Sequence, residues 1–180
     1  MTKYVAFLRA INVGGHTVKM EYLRSLFESL GFSNVETFIA SGNVIFDSTS
    51  KSTRALEKKI ESCLAKALGY EVLTFVRSGS ELAAIADYKA FSETDLTADG
   101  HTVYIGFMGS EPSEIVRENL RLLTTKVDDF VVNGREVYWL CRTRFSESQI
   151  SGALLAKTLG MPTTLRNTTT VKKIAAKYSE

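Results

Sequence analysis

The chain has 180 residues, 44% of them hydrophobic and 23% charged, with a formal net charge of +2; this fits one globular domain or two small ones. With only Pro112 and Pro162 and no Pro/Ser/Gly-rich linker, extended disorder is not expected, and so small a net charge does not by itself argue for nucleic acid. Met1-Thr2-Lys3-Tyr4-Val5 lacks the apolar core of a signal peptide, and no apolar run approaches the ~20 residues that span a bilayer, so a cytoplasmic protein with no membrane partner is expected by elimination.

Lys3 to Arg9 reads as a near-continuous apolar strand, followed by the polar, glycine-bearing stretch from Ala10 to Lys19. Met20, Leu23, Leu26, Phe27 and Leu30 recur at three- and four-residue steps, which predicts a helix with Gly31 as its C-terminal cap. Val35 to Ile39 reads as a strand, Ser41-Gly42-Asn43 as a tight turn, and Val44 to Phe46 as the returning strand. Ser52 to Leu68 is predicted helical, with Leu56, Ile60, Cys63 and Leu64 on one stripe and Gly69 at its end. Val72 to Val76 follows as a strand and Ser80 to Tyr88 as a short helix.

The second half repeats this order. A strand is predicted at Val103 to Met108, a helix at Pro112 to Leu123, and strands at Phe130 to Val132 and Glu136 to Cys141 around the Asn133-Gly134 turn. A helix from Ser148 to Leu159 again ends in glycine, Gly160. A strand at Thr163 to Arg166 and a helix at Thr169 to Tyr178 complete the chain. Adding 89 to the residue number takes Arg77 to Arg166, Leu82 to Val171, Ile85 to Ile174 and Ala86 to Ala175, so the repeat survives at single positions. Each half reads β-α-β-β-α-β, the ferredoxin-like arrangement, with an extra helix after it. The expected class is α+β, as duplicated halves 1–90 and 91–180 packed together, because strands apolar on both faces need cover on both sides. The acidic stretch from Lys89 to His101 is the expected boundary.

Three sets of residues carry a resemblance. They are the run from Tyr4 through Ala10-Ile11-Asn12-Val13 to Gly14-Gly15, the helix end Leu30-Gly31-Phe32 with Ser41-Gly42-Asn43-Val44, and the late Thr164-Leu165-Arg166-Asn167. Together they resemble the bacterial family known as domain of unknown function 1697. The resemblance covers essentially the whole chain and implies an α+β, ferredoxin-like architecture. It implies no particular activity, cofactor or catalytic residue.

In such a unit the loop after the first strand and the turn between the second and third strands lie at one end of the sheet. Arg9 to Lys19 and Ser41 to Asn43 are therefore expected to share a rim. Gly14 and Gly15 let backbone amides approach a ligand, and Arg9 offers a two-pronged donor. Asn12, Ser41 and Asn43 add neutral hydrogen-bonding groups, and Lys19 adds charge. His16 is a candidate acid or base. The opposing reading is structural: the glycines make turns, Asn43 serves its own turn, and Arg9 pairs with an acid. Arg166 and Asn167 form a second candidate set, Asn167 equally able to cap the last helix.

From Phe91 to Asp129 eight acids outnumber three bases, and from Phe130 to Tyr178 eight bases outnumber two acids, so the final third is net basic. Cys63 and Cys141 read as buried reduced thiols. His16 and His101 have no neighbours at metal-ligand spacing, and no metal or cofactor is expected. Trp139 reads as core and His101 as surface. The RNA-recognition pattern of glycines and aromatics is missing, which favours the loops over an open sheet face. Three readings stay open: a module binding a phosphate-bearing ligand, nucleotide or nucleic acid; a small enzyme acting on a phosphorylated or carboxylated substrate with His16 as acid or base; and a protein-interaction scaffold.

Overall fold

The computed structural model describes residues 1–12, 14–39 and 42–178. Its first part runs β1 (Thr2–Leu8), α1 (Met20–Ser29), β2 (Ser33–Thr37), β3 (Asn43–Ser48), α2 (Thr53–Leu68), β4 (Thr74–Ser78) and α3 (Gly79–Asp87). After α4 (Glu93–Thr97) the order recurs as β5 (Thr102–Met108), α5 (Glu114–Arg121), β6 (Asp128–Asn133), β7 (Glu136–Cys141), α6 (Gly152–Leu159), β8 (Thr163–Asn167) and α7 (Thr168–Tyr178). Two antiparallel four-stranded sheets result, ordered β2-β3-β1-β4 and β6-β7-β5-β8. The chain is thus α+β, a duplicated βαββαβ. Its two compact units are Met1–Ala86 with Lys172–Glu180, and Asp87–Val171.

The first unit is held by one apolar cluster. Tyr4, Ala6 and Leu8 alternate onto one face of β1 and meet Leu23 and Phe27 of α1 and Leu56, Ile60 and Leu64 of α2. Each large side chain so buried contributes about 1.5–3 kcal/mol. Ser52 caps α2 by accepting the Ala55 N–H, and Gly69 ends it in the left-handed region at φ 81°. In the second unit the core is built on Trp139, Met108, Val137, Leu155 and Leu159. Trp139 is fully buried and its indole N–H donates to Asp128 Oδ1 at 2.8 Å. Ser151 and Gly160 cap α6 as Ser52 and Gly69 cap α2.

The duplication extends to individual bonds. Arg77 stands opposite Val5 in β1, and Arg166 opposite Ile105 in β5. In each unit that arginine's Nη1 donates back to the preceding carbonyl, Val76 or Leu165, at 2.9 Å. Likewise the Thr74 hydroxyl donates to the Val72 carbonyl and the Thr163 hydroxyl to that of Met161.

Several elements differ from the expectations, each for a local reason. The helix expected from Ser148 begins only at Gly152, because the Ser148 hydroxyl donates to the Asp128 carboxylate and accepts the Ile150 N–H. The helix expected from Pro112 starts at Glu114, since Ser113 is its cap. A short helix, α4, stands inside the expected boundary, nucleated by Ser92 accepting from the Asp95 N–H. Cys141 is buried, but Cys63 is only half-buried, with Ser62, Lys66 and Ala67 beside it in a surface groove. His101 is half-buried, its Nδ1 2.9 Å from the Asp95 carbonyl, while the Asp95 carboxylate pairs with Arg142 Nε at 3.1 Å. That arginine holds the Asp95 carboxyl below the usual range.

Candidate functional site

β1 delivers the chain to a rim made of three segments. The Leu8 N–H donates to the Gly42 carbonyl, and the Arg9 N–H to the Leu73 carbonyl, each at 2.8 Å. The loop after β1, the turn between β2 and β3, and the approach to β4 therefore meet at one end of the first sheet. This is the convergence that the strand order predicts.

Within the turn, Asn43 is 3% exposed. Its Nδ2 donates to the Phe38 carbonyl at 3.0 Å and to the Ile39 carbonyl at 3.2 Å. Asn43 thus builds the turn, with Ile39 held at φ 49°. Ser41, the other turn residue expected at the site, lies outside the described residues. Asn12 is also engaged internally, its Oδ1 accepting the Val18 N–H at 2.8 Å and closing the loop before α1.

The remaining groups face outward. Arg9, Gly14, Gly15, His16 and Lys19 are all exposed. Among the described residues the Arg9 guanidinium has no hydrogen bond or ion pair. Gly14 and Gly15 have φ of 67° and 83°, and nothing lies within 4 Å of where a Cβ would stand. The left-handed backbone explains glycine here, and the open space leaves the amides accessible. Lys19 is the N-cap of α1 and makes no side-chain capping bond, so the positive end of the helix is not covered by a side chain. No acid occurs between Arg9 and Lys19.

Tyr70 anchors this loop, and sequence reasoning did not find it. Its hydroxyl donates to the Ile11 carbonyl at 2.8 Å, and its ring stacks on His16 with centroids 3.9 Å apart. The only available signal was its place directly after Gly69, where α2 hands the chain back to the rim.

Arg166 and Asn167 belong to the second unit. Arg166 Nη1 donates to the Thr164 hydroxyl and the Leu165 carbonyl, each at 2.9 Å. Burial pushes its guanidinium down to about 10. Asn167 Oδ1 accepts the Thr169 N–H at 2.9 Å and caps α7. Lys177, on the same final helix, lies 3.5 Å from Glu36.

The loop after β5 corresponds to the candidate loop and is built differently. Glu111 pairs with Arg117 at 2.7 Å, and Pro112 is buried. This acidic, tethered loop does not repeat the exposed cations and paired glycines of the first. No group of three or more metal-ligating side chains occurs among the described residues, and no helix among them is long and apolar enough to cross a membrane.

Comparison with known proteins agrees with the duplicated fold. No curated protein matches the chain. Among solved structures, the conserved bacterial protein SP0830 from Streptococcus pneumoniae is similar at 24% identity with a TM-score of 0.69, over 100% of this chain and 99% of that one. That likeness concerns the fold alone. The model of the family described as protein of unknown function DUF1697 matches residues 1–138, and the chain belongs to that family.

Proposed function

We propose that the loop after β1 binds a small phosphate-bearing ligand, of mononucleotide size, with Arg9 and the Gly14-Gly15 backbone as its principal donors. The observation that carries this reading is the unpaired, exposed Arg9 guanidinium on a loop whose two glycines leave open space around their backbone. Lys19 and the uncovered start of α1 add positive potential on the same loop. His16, held on Tyr70, supplies a further donor and a flat surface.

The count of charges favours a compact ligand over a long nucleic acid. Arg9 and Lys19 are the two permanent cations of this loop, and two cations neutralise about two phosphates. A nucleic-acid interface with six to ten phosphate contacts loses about 10³–10⁵ in affinity between 50 and 200 mM salt. Here the loss is expected to stay within about tenfold. Fluorescence polarisation with a labelled mononucleotide and a labelled oligonucleotide at two salt concentrations separates the cases. Mononucleotide binding with a shallow salt dependence supports the reading. Oligonucleotide binding with a steep dependence, or no binding of either, contradicts it.

A further inference from the structure

In the first unit a helix closes the outer edge of the sheet. Glu61 Oε1 accepts the Thr74 N–H and Glu57 Oε1 accepts the Val76 N–H, both at 2.9 Å. Two carboxylates four residues apart on α2 thus meet two amides two residues apart on β4. The spacings agree, since four helical residues rise about 6 Å and two strand residues about 6.8 Å.

The duplicate edge, on β8, has no such closure. Met108 donates its N–H to the Arg135 carbonyl on the β7 side. Alternation along β5 then directs Ile105 and Phe107 to β8, where they face Arg166 and Thr164. The N–H groups of Thr163 and Leu165, the counterparts of Thr74 and Val76, point to the outer edge. Among the described residues neither has a hydrogen-bond partner. The helix that corresponds to α2 is the short α6, of sequence Gly-Ala-Leu-Leu-Ala-Lys-Thr-Leu, which contains no carboxylate. Its one charged residue, Lys157, is exposed.

We propose that the outer edge of β8 docks an acidic helix of a partner protein, whose carboxylates four residues apart accept from the Thr163 and Leu165 amides. The occupant follows from the internal copy, in which Glu57 and Glu61 close the β4 edge from within the same chain. Charge agrees with it: exposed Lys157 lies on the adjacent helix, and that helix carries no acid. An added strand fits less well. β8 has five residues and passes directly into α7, leaving little edge on which to build a ladder.

The test uses the full chain, labelled with ¹⁵N, and a synthetic peptide of the α2 sequence Thr53–Leu68 carrying Cys63→Ser. A second peptide adds Glu57→Gln and Glu61→Gln. The expected result is saturable shifts of the Thr163 and Leu165 amides with the acidic peptide, and binding at least about tenfold weaker with the glutamine peptide, as loss of charge-assisted bonds requires. In the free protein these two amides should exchange with solvent faster than those of Thr74 and Val76. No shift at the β8 amides, or equal binding of the two peptides, overturns the proposal. So does protection of Thr163 and Leu165 that equals that of Thr74 and Val76, or protection that rises with protein concentration, which would make a second copy the occupant.

Discussion

The imidazole of His16 lies on the ring of Tyr70, with centroids 3.9 Å apart and planes 25° from parallel. The two residues are brought together by the end of α2, and the Tyr70 hydroxyl adds a bond to the Ile11 carbonyl at 2.8 Å. One side chain therefore fixes both limbs of the candidate loop. Tyr70→Phe removes the hydrogen bond and keeps the stack, at a cost of about 1 kcal/mol. Tyr70→Ala removes both and opens the packing around Ile11, so it should cost more. Ligand affinity is expected to fall in the same order. Urea denaturation and binding measured on the two variants check this; equal affinity in both would mean that the stack does not organise the site.

Arg9 separates a ligand-binding role from a structural one. It is exposed, so Arg9→Gln should change stability by no more than about 0.5 kcal/mol. Loss of a charge-assisted contact to phosphate should weaken binding by at least about tenfold. Denaturation and nucleotide binding read the two effects separately. A large loss of stability would show that Arg9 supports the fold.

Glu57 tests the closure of the β4 edge. It accepts the Val76 N–H and lies 4.0 Å from Arg77, which is 1% exposed. Glu57→Ala leaves a buried cation and a buried amide short of an acceptor, and about 3–5 kcal/mol of destabilisation is expected. Glu61→Ala removes one amide contact at a less buried position and should cost about 1–2 kcal/mol. Glu57→Gln retains an acceptor and should fall between wild type and Glu57→Ala. Urea denaturation orders the three.

Glu36 gives a pH dependence with a defined sign. The Tyr178 hydroxyl donates to its Oε2 at 2.6 Å, and Lys177 Nζ lies 3.5 Å from the same oxygen. The hydrogen bond first, and the lysine charge after it, hold the Glu36 carboxyl below its ordinary value. A carboxyl depressed in the folded state contributes stability above its unfolded pKa, and that contribution is lost as pH falls through the folded pKa. Tyr178→Phe should raise the Glu36 pKa toward the ordinary carboxylate range and flatten this acid limb. Carboxyl ¹³C titration of both proteins measures it; an unchanged Glu36 would mean that the hydrogen bond is not the cause.

Much of the fold was legible because its signals are local. The helical stripe from Met20 and the glycines ending α2 and α6 each act within one turn of chain. The matched Arg77 and Arg166 revealed the duplication because each occupies the same register position against the strand beside it. What escaped depended on distant partners. The late start of α6 depends on Ser148 bonding Asp128, twenty residues away. The four-residue spacing of Glu57 and Glu61 is common on solvated helix faces and gives no hint of a strand edge. At the site, strand order placed the loops correctly, and Gly14, Gly15, Arg9 and Lys19 were read for their exposed chemistry. That Asn12 and Asn43 bond their own loop and turn was not readable, since asparagine serves a turn and a ligand with the same atoms. Tyr70 was missed because it comes to the loop from 59 residues away.

The central claim is that the loop after β1 takes up a phosphate group, and its most direct test is a ¹⁵N-amide titration of the whole protein with inorganic phosphate and with a mononucleotide. Saturable shifts centred on Gly14, Gly15 and His16, strongly weakened in Arg9→Gln, are the predicted result. Amides of that loop that stay unmoved at saturating ligand, or that move identically in Arg9→Gln, would contradict it.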